Sequence, residues 1–135
     1  MIKMDKRGQI SIEFVLIVAF MFILVILFGT YATDANEKNV VSSAARSGVM
    51  DAATKLLLDN NITQPIHVNE IATDGNGQNI TLSINVSGPV STNTMNNLTS
   101  SAIQSIAAQG YKVDTTNPND TFVSTSRHNY RVKIV

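Results

Sequence analysis

The sequence predicts an α+β fold: a long N-terminal helix, a small and mostly antiparallel sheet, and one short helix. Three observations support this prediction. Residues 14–28 are fifteen apolar residues in succession. Residues 34–59 keep a helical periodicity and contain no proline. Residues 79–87 alternate apolar with polar side chains, as a strand with one buried face does.

Composition divides the chain into an apolar N-terminal part and a polar C-terminal part. Ser, Thr and Asn fill 30 of the 76 positions in residues 60–135, which we call the head. The formal net charge of the 135 residues is zero, which argues against a nucleic-acid partner. The chain has no cysteine, so it forms no disulfide and carries out no thiol chemistry.

The N-terminus has the pattern of a membrane signal. Residues 1–8 carry three basic residues and one acidic residue, and the apolar run follows at once. Including residues 29–32, the membrane-compatible stretch has 19 residues, close to the ~20 that a spanning helix needs. The positive cluster predicts a cytoplasmic N-terminus, with everything after Asp34 outside.

Three interpretations of this signal are open. In the first, a secretory signal peptide is cut after Ala32, with Thr30 and Ala32 at the small-residue positions. In the second, the segment is an uncleaved anchor. In the third, a short leader is removed in front of the apolar run and the run is retained.

The third interpretation is favoured by residues 8–14, GQISIEF. They resemble the Q-x-S-x-E-F motif of class III signal peptides on archaeal type IV pilin precursors. The resemblance covers about seven residues, and its basic and apolar context about twenty-five. The matching residues are Gly8 before the cut, Gln9 as the new N-terminus, Ser11, Glu13 and Phe14.

The resemblance implies a pilin-like structural subunit of an archaeal surface filament that serves adhesion. A prepilin peptidase would remove the leader, residues 1–8, on the cytoplasmic side. Residues 9–33 would lie in the membrane and later in the filament core, residues 34–59 would continue the helix, and the head would be extracellular. The implied partners are this peptidase, copies of the chain or related pilins, and the pilus assembly machinery. The alternatives are a minor pilin or pseudopilin, or a membrane-anchored extracellular binding module that never polymerises.

Glu13 is unusual because it stands at the edge of an apolar run. A charge at the centre of a membrane helix costs about 2.5–3.5 kcal/mol on insertion scales. Cleavage would give Gln9 an α-amine four residues away, on the same helical face. The resemblance implies that Glu13 pairs with this amine of a neighbouring subunit and so sets axial register, because an unpaired charge in an apolar core is penalised. Alternatively, Glu13 only complements the helix dipole, worth about 0.3–1 kcal/mol.

Beyond Thr33 the helix is predicted to become amphipathic and to carry the head. A helix from Gln9 to Asp59 would be about 75 Å long at 1.5 Å per residue, and Asn60-Asn61 is a suitable stop. Gly29 is either a flexible point or a tolerated membrane glycine. The apolar stripe consists of Val41, Ala45, Val49, Ala52 and Leu56, and the small residues that permit close approach are Ala44, Ala45, Gly48, Ala52 and Ala53.

The head is predicted to contain five strands and one helix. Residues 66–72 and 79–87 form a hairpin around the turn DGNG. A helix over residues 92–109 is capped by Thr92 or Asn93 and stopped by Gly110. The remaining strands are 111–115 and 121–126, around a turn at 117–120, and 130–135, which closes the sheet.

The head also carries N-x-[S/T] sequons, at Asn61, Asn79, Asn85, Asn97 and Asn119. The strand pattern places Asn79 and Asn85 on a polar face, and all five lie outside the cell by the charge rule. Because the segment is rich in Asn and Thr, five sequons are only a mild excess over the number expected by chance. They are either glycan acceptors or part of a neutral, unmodified surface.

No residue pattern indicates an enzyme. His67 and His128 are isolated in polar surroundings, which favours surface positions for both. The acidic residues show neither calcium-loop nor zinc-site spacing, and no nucleotide-binding glycine pattern occurs. The sequence therefore predicts a protein without catalytic residues, cofactor or metal.

Overall fold

A computed structural model describes residues 6–59, 61–88, 90–115 and 121–135, with side chains from Ser11 onward. It confirms the predicted α+β class: a long helix, a short helix and a mostly antiparallel sheet. The chain divides into two units, residues 1–37 and 38–135. The elements are α1 Lys6–Leu58, β1 His67–Asp74, β2 Asn79–Ser87, α2 Thr92–Ala107, β3 Lys112–Asp114, β4 Phe122–Ser124 and β5 Asn129–Ile134.

Helix α1 is a single element of 53 residues whose ends lie within three residues of the predicted ones. Its second half is amphipathic, as the sequence indicated. The predicted apolar stripe is buried except for Leu56. Leu56 is partly buried and packs against the core. The buried residues of this face recur at steps of one, three and four: Val41, Ala44, Ala45, Val49, Ala52 and Ala53.

Strands β1 and β2 form the predicted antiparallel hairpin, in which Asp74 pairs with Thr81 at the turn. Gly75 and Gly77 have φ of 121° and 80°, conformations that residues with a Cβ rarely adopt. A bulge interrupts the register between Val68 and Glu70. The Arg46 guanidinium of α1 donates to the Val68 carbonyl there, at 3.4 Å.

Strand β5 does not close the sheet at an edge, because it lies in the centre. The strand order is β1-β2-β5-β4-β3, and β5 runs parallel to β2 whereas the other pairs are antiparallel. Parallel neighbours need a crossover connection of a dozen or more residues. Helix α2 lies within the connection between β2 and β5, which explains its presence in the head.

One buried cluster joins residues 38–58 of α1, helix α2 and one face of the sheet. The two helices meet closely at Gly48, where an added Cβ would lie 2.5 Å from the Ser101 carbonyl oxygen. The contact confirms that the small residues of α1 permit close approach. The sheet contributes Val68, Ile80, Leu82, Ile84, Val123, Tyr130, Val132 and Ile134, and α2 contributes Leu98, Ala102 and Ile106.

The predicted cap of α2 was one residue too late. Ser91, not Thr92 or Asn93, is the N-cap: its backbone is extended at φ −75° and ψ 162°. Its hydroxyl accepts a hydrogen bond from the Thr94 N–H at 3.2 Å, whereas Thr92 is already helical. The helix ends at Ala107, two residues before the predicted end, and Gly110 adopts a left-handed φ of 97°. The predicted turn at residues 117–120 lies outside the described part of the chain.

The cap gives a direct stability prediction. Replacing Ser91 with alanine is expected to lower the free energy of unfolding by about 1 kcal/mol, because the Thr94 N–H loses its acceptor. Thr92→Ala is the matched control, since Thr92 is exposed and is not the cap. Urea unfolding of the full chain in detergent, followed by circular dichroism, measures both. Equal losses in the two variants would contradict this assignment of the cap.

Candidate functional site

The first part of α1 exposes a large apolar surface. Fifteen large apolar side chains between Ile12 and Tyr31 are exposed, among them Phe14 at 65% and Phe28 at 70%. Removing this surface from water is worth on the order of 15 kcal/mol, as much as the whole stability of a typical domain. A surface of this size requires a cover of lipid or of other apolar helices.

The exposure extends around the whole circumference of the helix. Residues 20–23 are four successive residues, and all four are exposed; Leu24, which follows them, is half-buried. Successive helical residues point about 100° apart, so four of them cover every side. By length and composition this helix can span a membrane, a test that a signal sequence near the N-terminus also passes.

The motif residues all lie on α1. The side chains of Ser11, Glu13 and Phe14 are exposed, whereas that of Gln9 lies outside the described part. The Gly8–Gln9 bond itself belongs to the first turns of the helix. Helix ends lack part of their hydrogen bonds, so these turns are held less firmly than the middle of the helix.

The residues that follow Glu13 on its own side of the helix are apolar. Leu16 and Ile17, three and four residues on, are its neighbours on that side, and both are exposed and apolar. Neither can balance its charge. On the following turn, the carboxylate therefore has no cationic neighbour.

Two threonines near Gly29 form hydrogen bonds that were not predicted from the sequence. The Thr30 hydroxyl donates to the Leu27 carbonyl at 2.9 Å, and the Thr33 hydroxyl donates to the Gly29 carbonyl at 2.7 Å. These bonds satisfy both hydroxyls within the helix. Helix α1 passes through Gly29 without a break, which favours a tolerated glycine over a melting point.

Four of the five sequon asparagines are described, and all four side chains are exposed. Asn79 and Asn85 lie on the face of β2 opposite the buried Ile80, Leu82 and Ile84, as predicted. Asn61 follows α1, and Asn97 lies on α2, where it lines a cleft together with Lys55 and Leu56 of α1. Asn119 lies outside the described residues. Exposure makes the four accessible, and their glycosylation stays a prediction.

The two histidines lie at opposite ends of the β1–β2 hairpin. His67 is exposed and pairs with Ser87 at the open end. His128 is half-buried at the turn, where its Nδ1 lies 2.8 Å from the Gly77 carbonyl oxygen and its ring contacts Tyr130 edge-on. Among the described residues, no three His, Cys, Asp or Glu side chains are grouped so that they could hold a metal ion.

Comparison with known proteins adds no assignment: no family model matches the chain, and no curated protein matches it.

Proposed function

We propose that this protein is a structural subunit of an archaeal type IV pilus-like surface filament. The observation that carries the proposal is the Q-x-S-x-E-F pattern of residues 9–14, placed between a short basic leader and the apolar run. In this proposal a prepilin peptidase cuts between Gly8 and Gln9. The mature chain waits in the membrane with its head outside until the assembly machinery transfers it to the filament.

The exposed surface of α1 supports this function because a pilin-like subunit occupies two apolar environments in succession, first the lipid and then the filament core. An apolar helix exposed on all sides is stable in lipid, and it is equally stable among like helices. A plain anchor needs only the first environment. The acidic residue at the start of the apolar run is the feature that a plain anchor does not need.

The placement of Glu13 supports self-association in particular. Its neighbours on the following turn are apolar, and the new α-amine of Gln9 would be the nearest cation created by processing. Opposite charges attract strongly once they are removed from water, and an unpaired charge there is costly. In the proposed filament, pairing between neighbouring subunits satisfies both groups.

The N-terminal residue of the protein isolated from cells tests the proposal. We expect mass spectrometry to find Gln9 as the first residue, because a prepilin peptidase removes residues 1–8. A chain that begins at Met1 would support the non-polymerising anchored module, and one that begins at Thr33 a secreted head. Either result contradicts the proposal.

The same preparation tests assembly and modification. Electron microscopy of sheared surface material, with antibody against the head, should show labelled filaments; continuous labelling indicates a major subunit and sparse labelling a minor one. An intact mass above that of residues 9–135 would reveal glycans on the sequons, whereas a mass equal to the bare chain would exclude them.

A further inference from the structure

The turn of the β1–β2 hairpin contains a dipeptide that the proposed function does not use. Asn76 is followed directly by Gly77, and no other asparagine of the 135 residues precedes a glycine. Both residues are exposed and lie outside the paired residues of β1 and β2. The register places the turn at the end of the sheet marked by Lys112 and Ser124, whereas β3 leads toward β4 from the opposite end, at Asp114. Water therefore has access to the dipeptide.

The reactive groups of this dipeptide are the Asn76 carboxamide and the Gly77 backbone nitrogen. A bond between that nitrogen and the carboxamide carbon closes a five-membered ring. A side chain on the residue after asparagine crowds this attack, and glycine has none. An added Cβ at Gly77 would meet no atom within 4 Å, so the space around Gly77 is open as well. The local structure therefore leaves room for ring closure.

Two other exposed asparagines of the hairpin, Asn79 and Asn85, lack this combination. Asn79 is followed by Ile80 and Asn85 by Val86, so the residue that would supply the nitrogen is branched at Cβ. Both pairs lie within β2, and the Val86 N–H donates to the Val135 carbonyl at 3.0 Å. Their nitrogens are therefore crowded, and that of Val86 is also held by a hydrogen bond. Of these three asparagines, we expect only the one in the turn to react readily.

We propose that Asn76 deamidates spontaneously and that its isoaspartate product loosens the hairpin turn from the rest of the head. The Gly77 nitrogen bonds to the Asn76 Cγ, and the carboxamide nitrogen leaves as ammonia with the proton of the Gly77 N–H. Water then opens the resulting succinimide ring by breaking one of the two bonds between its carbonyl carbons and the Gly77 nitrogen. Breaking the bond to Cγ gives aspartate, and breaking the bond to the backbone carbon gives isoaspartate. No atom is oxidised or reduced, and the proposal does not depend on filament assembly.

Two polar contacts join the turn to the start of β5. The Gly77 carbonyl oxygen lies 2.8 Å from the Nδ1 of His128, and the Gln78 carbonyl accepts a hydrogen bond from the Asn129 N–H at 2.6 Å. Isoaspartate adds one carbon to the backbone directly before Gly77, so both carbonyl oxygens are displaced from these partners. Aspartate leaves the length of the backbone unchanged and preserves the two contacts. The isoaspartate form is therefore expected to be the less stable product.

Peptide mapping of the full chain tests the reaction. The protein is produced in a bacterial host without N-glycosylation, kept in dodecyl maltoside at mildly alkaline pH and sampled over time. Digestion after Glu70 and Leu82 releases residues 71–82, which contain both Asn76 and Asn79. We expect tandem mass spectrometry to find aspartate and isoaspartate at Asn76, formed about tenfold or more faster than products at Asn79, because Asn79 must first leave β2. Equal rates at the two asparagines, or aspartate without isoaspartate, would overturn the proposal.

A matched variant links the modification to stability. Asn76→Gln keeps a carboxamide, but ring closure would need six members and is slower, so no product at this position is expected in the same time. Aged wild-type protein should unfold at a lower urea concentration than fresh protein, as followed by the near-ultraviolet signal of the buried Tyr130, whereas aged Asn76→Gln should keep its midpoint. An unchanged midpoint of wild-type protein in which isoaspartate has accumulated would contradict the proposal. An equal fall in the variant would contradict it too, because the cause would then lie elsewhere in the chain.

Discussion

Replacing Gly48 with alanine is expected to lower the free energy of unfolding of residues 38–135 by about 1–3 kcal/mol. The added Cβ would lie 2.5 Å from the Ser101 carbonyl oxygen and 2.7 Å from the Ser105 Cβ. Both atoms belong to α2. The helix backbone fixes the carbonyl oxygen and the Cβ, so neither can rotate away as the end of a flexible side chain can. The helices must therefore separate, which loosens contacts of Ala45, Val49 and Ala102.

Gly29 provides the matched control for this prediction. An added Cβ at Gly29 meets no atom within 4 Å, so Gly29→Ala should leave the head unchanged and favour the helix by about 1 kcal/mol. Urea unfolding of both variants in detergent, followed by the near-ultraviolet signal of the buried Tyr130, separates the two effects. A loss at Gly48 no larger than that at Gly29 would contradict the close helix contact.

Replacing Glu13 with glutamine is expected to reduce the yield of filaments about a hundredfold, without preventing removal of the leader. Glutamine keeps the shape of the side chain and removes its charge. In the proposed filament this leaves the α-amine of Gln9 buried without a partner, and breaking a buried ion pair costs about 3–5 kcal/mol. Quantitative immunoblots of sheared filaments measure the yield, and N-terminal mass spectrometry of the cell-associated protein measures processing.

A second acidic residue on α1 controls for a general loss of charge. Asp51 is exposed in the amphipathic half of the helix, and Asp51→Asn should assemble normally. Filaments from both Glu13→Gln and Glu13→Lys in normal amounts would exclude the register function of Glu13. A chain with Met1 still present would show instead that processing had failed.

Much of the local structure could be predicted from the sequence because it depends on neighbouring residues. The absence of proline and the spacing of apolar residues predicted α1 within three residues at its ends. Alternation over residues 79–87 predicted β2 at its observed bounds, and DGNG predicted the hairpin. The cap of α2 was missed by one residue because Ser91, Thr92 and Asn93 are all good caps, and only the backbone conformation decides among them.

The candidate assembly site was visible in the sequence, since it is a short motif next to an apolar run. The sequence did not show that Thr30 and Thr33 satisfy their hydroxyls within α1, although their spacing to Leu27 and Gly29 was a usable signal.

By itself, the sequence determined which segments are helical or extended, which faces are apolar, and where the apolar run of α1 begins. The tertiary structure decided which strands are neighbours: it put β5 in the centre, parallel to β2, and set α2 against Gly48. The physical reason is that the alternation of apolar and polar residues specifies which face of a strand is buried, but not which strand lies beside it. The partner follows only when the buried faces of β1, β2, β4 and β5 pack together against α1 and α2.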